Sequence, residues 1–110
     1  MMKLIIAIVQ KKDASVLSAE LIKNDFRATK LATTGGFLRE GNTTFLIGVE
    51  EERLTEALHI IKQCSHEREE NYTAPSFNPE MSMSLISRPV EVTVGGATVF
   101  VLDVSQFKRF

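Results

Sequence analysis

Arg27, Lys30 and Arg39 fall in a stretch, residues 27–39, that holds no acid, although the chain as a whole carries a net charge of −1. Among them lie Gly35-Gly36 and Phe37, with Asn42 just beyond. Glycines free backbone N–H groups to face an anion, and an arginine adds charge and a planar fork of donors. Cations, free amides and an exposed aromatic together suit a small anionic ligand. The same residues also fit an ordinary hairpin with a Gly-rich turn.

The elements that must hold these residues follow from hydrophobic periodicity. Residues 26–49 (FRATKLATTGGFLREGNTTFLIGV) are two alternating segments, 26–34 and 43–49, joined by a turn-rich link. Both segments read as strands. Residues 3–10 (KLIIAIVQ) form an apolar run rich in Ile and Val, a strand buried on both faces. Asp13 is placed to cap a helix running to Asn24, with Ala14, Leu17 and Leu21 on one stripe. Glu50, Glu51 and Glu52 stand where a helix dipole favours acids. The helix they open carries Leu54, Ala57, Leu58, Ile61 and Cys64 at helical spacing.

From residue 65 to 88 the periodicity disappears, and charges, Ser, Asn, Pro75 and Pro79 predict a long flexible loop. Residues 89–103 (PVEVTVGGATVFVLD) predict a hairpin turning at Gly95-Gly96. A two-residue turn would set Val94 opposite Ala97, Val92 opposite Val99 and Val90 opposite Val101, all on the core face. Phe100 and Leu102 then fall on the other face.

The order is β-α-β-β-α-β with an extra strand in the closing hairpin. It predicts an α+β ferredoxin-like sandwich, one domain over residues 1–110, with both helices on one side of the sheet. Leu4, Ile6 and Ile8 point to one face of the first strand and Ile5, Ala7 and Val9 to the other. Two helices cannot cover both faces, so a homo-oligomer is expected.

Composition narrows the function classes. A hydrophobic content of 44% suffices for a core, and a near-neutral charge gives no bulk attraction to nucleic acid or an anionic membrane. The single cysteine, Cys64, excludes an internal disulfide and fits a reducing compartment. No apolar run approaches membrane-spanning length and the 4–9 run is too short for a secretory signal, so a soluble cytoplasmic protein is expected. His59, Cys64 and His66 have no metal-ligand spacing. There is no nucleophile–base pair for phosphohydrolase chemistry, and no paired strand aromatics for RNA.

The segment FRATKLATTGGFLREGNTTFLIGVE, with the opening KLIIAIVQ and the closing PVEVTVGGATVFVLDVSQF, resembles the PII-like cyclic di-AMP receptor proteins of Gram-positive bacteria. The likeness spans nearly the whole chain and is weakest over residues 65–88. Ordinary PII nitrogen regulators carry a long loop between strands two and three, often with a modifiable tyrosine. Here that link (about residues 35–42) is short, and the long loop with the chain's only tyrosine, Tyr72, follows the second helix. The resemblance implies a PII-like homotrimer and a non-enzymatic signalling receptor. It would bind cyclic di-AMP in clefts between subunits, without metal or cofactor, and pass the signal to a partner protein. A PII-type sensor of ATP or another adenine nucleotide is the alternative.

Carried over by matching positions, the resemblance implies ligand contacts from Arg27, Thr29, Gly36, Phe37, Leu38, Asn42, Gly48 and Phe100. Arg27 would serve a phosphodiester or an adenine nitrogen, and the amides of Gly36, Phe37 and Leu38 the phosphate oxygens. Asn42 offers the donor–acceptor pair that reads an adenine edge, and Gly48 lets a base lie close to the backbone. Thr29 adds one hydrogen bond, while Phe37 and Phe100 pack on bases. At the penultimate position some members carry a ligand-reaching Gln; here it is Arg109, which is left out of the set.

Overall fold

The computed structural model describes residues 1–33, 41–72 and 90–110. Strand β1 (Met2–Gln10) leads into helix α1 (Lys11–Lys23), strand β2 (Arg27–Thr33) and strand β3 (Asn42–Glu50). A single 3-10 turn, Glu51–Arg53, opens helix α2 (Leu54–Ser65). Strands β4 (Arg68–Tyr72), β5 (Val90–Val94) and β6 (Ala97–Asp103) follow. The main sheet has the order β2-β3-β1-β6 and every neighbouring pair is antiparallel. Strands β4 and β5 form a separate two-stranded ribbon. The α+β arrangement is consistent with a ferredoxin-like fold.

Alternation decides where the core sits. Ile5, Ala7 and Val9 of β1 and Phe45, Ile47 and Val49 of β3 are buried against Ala14, Leu17 and Leu21 of α1 and Ala57 and Ile61 of α2. Leu54, Leu58 and Cys64 complete the α2 stripe from its margins. Both expected helical stripes are therefore the faces that pack. The largest fully buried side chain is Phe45, set opposite Ala7. Phe45→Ala removes a fully buried ring from the core, and should cost about 3–5 kcal/mol. The check is a fall in urea midpoint with an unchanged slope, at fixed protein concentration.

Several expectations need correction. Asp13 does not cap α1: the helix begins at Lys11 after Gln10, and Asp13 lies buried in the first turn. Its carboxylate is held by two guanidinium nitrogens of Arg68, at 2.8 and 3.4 Å. An Asp beside two lysines resembles a cap in sequence, but a long-range arginine claims it.

The closing hairpin does not form. Strand β5 pairs with β4, and β6 pairs with β1, so Val92 and Val94 face no partner in β6 and lie outside the core. Pairing with β1 lets β6 extend the main sheet over seven residue pairs and pack Val99 on the core. Gly95 and Gly96, at φ +84° and +100°, carry the chain from one sheet to the other. Their amides donate to Gln10 Oε1 and to the Ser65 carbonyl, both at 2.6 Å.

The predicted loop over 65–88 begins instead with β4. Its sequence, REENY, shows no apolar alternation because the ribbon is anchored by charge: Arg68 binds Asp13 and Lys12 donates to Glu70 at 2.8 Å. Lys12 is the first cause of the lowered pKa of the Glu70 carboxyl, with Arg68 adding to it. The remainder of the predicted loop, from residue 73 on, lies outside the described residues.

Candidate functional site

One face of the main sheet is covered by the helices. The other carries the register rows Arg27–Gly48–Leu4–Leu102, Thr29–Leu46–Ile6–Phe100 and Leu31–Thr44–Ile8–Thr98. No described element packs over these rows. Leu4, Ile6, Ile8 and Leu46 are half-buried, while Leu31, Phe100 and Leu102 are exposed. The expectation of a strand apolar on both faces thus holds in pattern, but only the Ile5–Ala7–Val9 face is enclosed within this chain.

Five of the expected ligand residues can be placed, and period-2 alternation puts all five on the same side of the sheet, four of them exposed and Asn42 buried at its end. Arg27, Thr29 and Gly48 are exposed. Phe100 is opposite Ile6 and 53% exposed, so it lies off the core face as expected, although through pairing with β1 and not through a hairpin. Asn42 opens β3 opposite Gln10 and Thr33, and is only 4% exposed. Gly36, Phe37 and Leu38 lie outside the described residues. Arg109 is exposed near the end of the tail that follows β6.

The entry of β2 is fixed one residue before Arg27. Phe26 is buried, and the Arg53 guanidinium stacks 4.0 Å from its ring centroid. Arg53 also donates to the Asn24 carbonyl at 2.7 Å. Asp25 takes φ +60°, the left-handed conformation that Asp tolerates better than most residues. With Phe26 turned inward, Arg27 is turned outward. Lys30, by contrast, is opposite Phe45 in the register, on the helix side. The cations that cluster in sequence are therefore divided between two faces.

Gly48 sits in unbroken register between Arg27 and Leu4, so it is no bulge. A Cβ there would meet only the Met2 methyl, at 3.8 Å. The space above the backbone is open to a flat ligand. Leu4 and Ile6, which alternation already set on the uncovered face, floor it together with Leu46 between Arg27 and Phe100; sequence reasoning passed over only Met2, whose methyl approaches Gly48.

Distances divide the face. Arg27 and Phe100 stand on opposite edges, three strand spacings or about 14 Å apart. Asn42 and Gly48 are six residues apart on β3, about 20 Å. Within one chain, no single purine reaches all of these groups.

A second cleft lies on the helix side, lined by Asp13, Val16, Glu20, His59, Ile60, Gln63, Cys64 and Arg68. Burial raises the pKa of the Cys64 thiol and the nearby Glu20 and Asp13 carboxylates raise it further, which disfavours a thiolate. His59 and Cys64 share this cleft, yet no described group of three or more His, Cys, Asp or Glu side chains could hold a metal ion. No helix among the described residues is long and apolar enough to cross a membrane.

Comparisons with known proteins agree over the whole length. The family model for cyclic-di-AMP receptors matches residues 2–110. The crystal structure of a functionally unknown protein from Pediococcus pentosaceus is similar over 99% of this chain and 97% of that one, with 56% identity and a TM-score of 0.79. A DUF3240 family protein from Shewanella baltica shares the fold, with a TM-score of 0.56 and 13% identity over 99% of this chain and 96% of its own.

Proposed function

This chain belongs to the cyclic-di-AMP receptor family, and from that premise we propose that it is a non-catalytic cytoplasmic receptor that binds cyclic di-AMP between subunits of a PII-like homotrimer. The observation that carries the reading is the open sheet face. It brings Arg27, Thr29, Gly48 and Phe100 onto one surface that this chain does not cover. The same face is apolar at its centre, which favours contact with other copies. Groups some 14–20 Å apart within a chain come within reach of one dinucleotide when neighbouring copies supply different members of the set.

In such a cleft Arg27 supplies charge-assisted hydrogen bonds to a phosphodiester or a ring nitrogen, and Thr29 one more. A base lies flat over Gly48, while Phe100 offers a ring for stacking. Gly36, Phe37, Leu38 and Asn42 complete the proposed set. The ligand leaves unchanged, and the output is a change of conformation read by a partner protein.

Calorimetry of the full chain with cyclic di-AMP, in competition with ATP, tests the reading. Cyclic di-AMP should bind and resist displacement by excess ATP. Loss of a hydrogen bond to a charged group costs about 1.5–3 kcal/mol, so Arg27→Ala should weaken binding roughly 10- to 100-fold. Tight ATP binding with no response to cyclic di-AMP would replace this reading with that of an adenine-nucleotide sensor.

A further inference from the structure

The β1–α1 corner touches two regions, the start of β3 and the base of the β4–β5 ribbon. On one side, Gln10 is the register partner of Asn42, and the Lys11 amide donates to the Gly41 carbonyl at 3.4 Å. On the other, the same corner holds the base of the β4–β5 ribbon through three side chains. Gln10 Oε1 accepts from the Gly95 amide at 2.6 Å, Asp13 binds Arg68, and Lys12 binds Glu70.

The ribbon base leaves little room for slack. Arg68 opens β4, and Gly95 directly follows β5. A Cβ on Gly95 would fall 2.5 Å from an Arg68 guanidinium nitrogen and 2.5 Å from the His66 carbonyl oxygen. Arg68 is itself fixed by Asp13, which is almost fully buried, and by the His66 carbonyl at 3.2 Å. Both strands of the ribbon therefore start from one packed junction. A tilt of about 10° there would carry the far end of a five-residue strand by roughly 3 Å.

We propose that Gln10 is a positioning residue that couples Asn42, at one end of the candidate ligand face, to the Gly95–Arg68–Asp13 junction, so that the orientation of the β4–β5 ribbon follows the state of the site. Bonded to the ribbon base and opposite Asn42 in the sheet, its side chain converts a shift at the start of β3 into a shift of the Gly95 amide. The ribbon is then the surface on which the bound state is displayed. The ligand part of this inference rests on the receptor reading above; the coupling itself does not.

Hydrogen exchange of the ribbon amides (residues 68–72 and 90–96) in the full chain separates the two. In the ligand-free protein, Asn42→Ala should speed their exchange at least about fivefold. In a Gln10→Met background, which keeps the side-chain length and removes the acceptor, the same change should add less than about twofold. Gln10→Glu, which retains an acceptor oxygen, should restore the response, and α2 amides should not move in any variant. Additive effects of the two substitutions would overturn the coupling whatever the ligand is.

The second arm adds cyclic di-AMP. The Gln10→Met protein should bind it within about threefold of the native affinity, yet lose the ligand-dependent change in ribbon exchange. Retention of that change would overturn the proposal, and so would a loss of affinity beyond about tenfold, which would place Gln10 in the site itself. Failure of the native protein to bind cyclic di-AMP would refute the receptor reading, while the ligand-free cycle still decides the coupling.

Discussion

Cyclic di-GMP is expected to bind this protein at least about a hundredfold more weakly than cyclic di-AMP. Adenine presents the N6 amino donor beside the N1 acceptor; guanine presents the O6 acceptor beside an N1–H donor. A site built for the first pattern leaves groups unpaired against the second, at roughly 1–3 kcal/mol for each buried mismatch. Two mismatched groups on each of two bases cost at least about 4 kcal/mol, which at about 1.4 kcal/mol per factor of ten exceeds a hundredfold. Asn42 carries both a donor and an acceptor, and its burial leaves it little rotamer freedom to lose on binding. Asn42→Ala should therefore narrow the ratio to below about tenfold, whereas Arg27→Ala should weaken both ligands together. Paired calorimetric titrations decide the matter: equal affinities in the native protein would show that the site does not read the base.

Ile6→Asp should break the proposed trimer into monomers without unfolding the chain. Ile6 is at the centre of the open face, between Leu46 and Phe100 in the register. In a lone chain a carboxylate there stays hydrated, since no described element covers it, and the core of Ile5, Ala7 and Val9 lies on the opposite face. In an assembly that buries this face, each copy would have to desolvate a charge, at several kcal/mol apiece. Light scattering coupled to size exclusion should give about three chain masses for the native protein and one, 12.3 kDa, for the variant. Circular dichroism should report the same fold for both. Cyclic di-AMP binding should vanish with the assembly, because groups about 14–20 Å apart in one chain no longer converge. A variant that keeps the native mass would remove this face as the interface and, with it, the cleft between copies.

How far the sequence alone reaches differs from element to element. Strands β1 to β3 and both helices were legible because each buries one periodic stripe against the others. Ile5, Ala7 and Val9 alternate, while Leu17, Leu21, Ala57 and Ile61 recur at helical spacing. Arg27, Thr29 and Gly48 were named through the family resemblance, and their common place on the face away from the helices came only with the strand register. The doubly apolar β1 already implied that this face has a further use.

The closing strands were decided by partners that local pattern does not name. Val-rich runs around Gly95-Gly96 look like a hairpin, but seven pairs with β1 were available to β6, and β5 found β4. Strand β4 was hidden because charge pairs with Asp13 and Lys12, not apolar burial, hold it in place. Asp13 itself looked like a helix cap, and only the approach of Arg68 from 55 residues away shows it to be a clamp. Residue type and spacing are set along the chain, so they could announce which faces are apolar and which residues suit a small anionic ligand, while adenine came from the family resemblance. Which edge pairs with which, and which charge meets which, depends on distances that close only when the whole chain is folded.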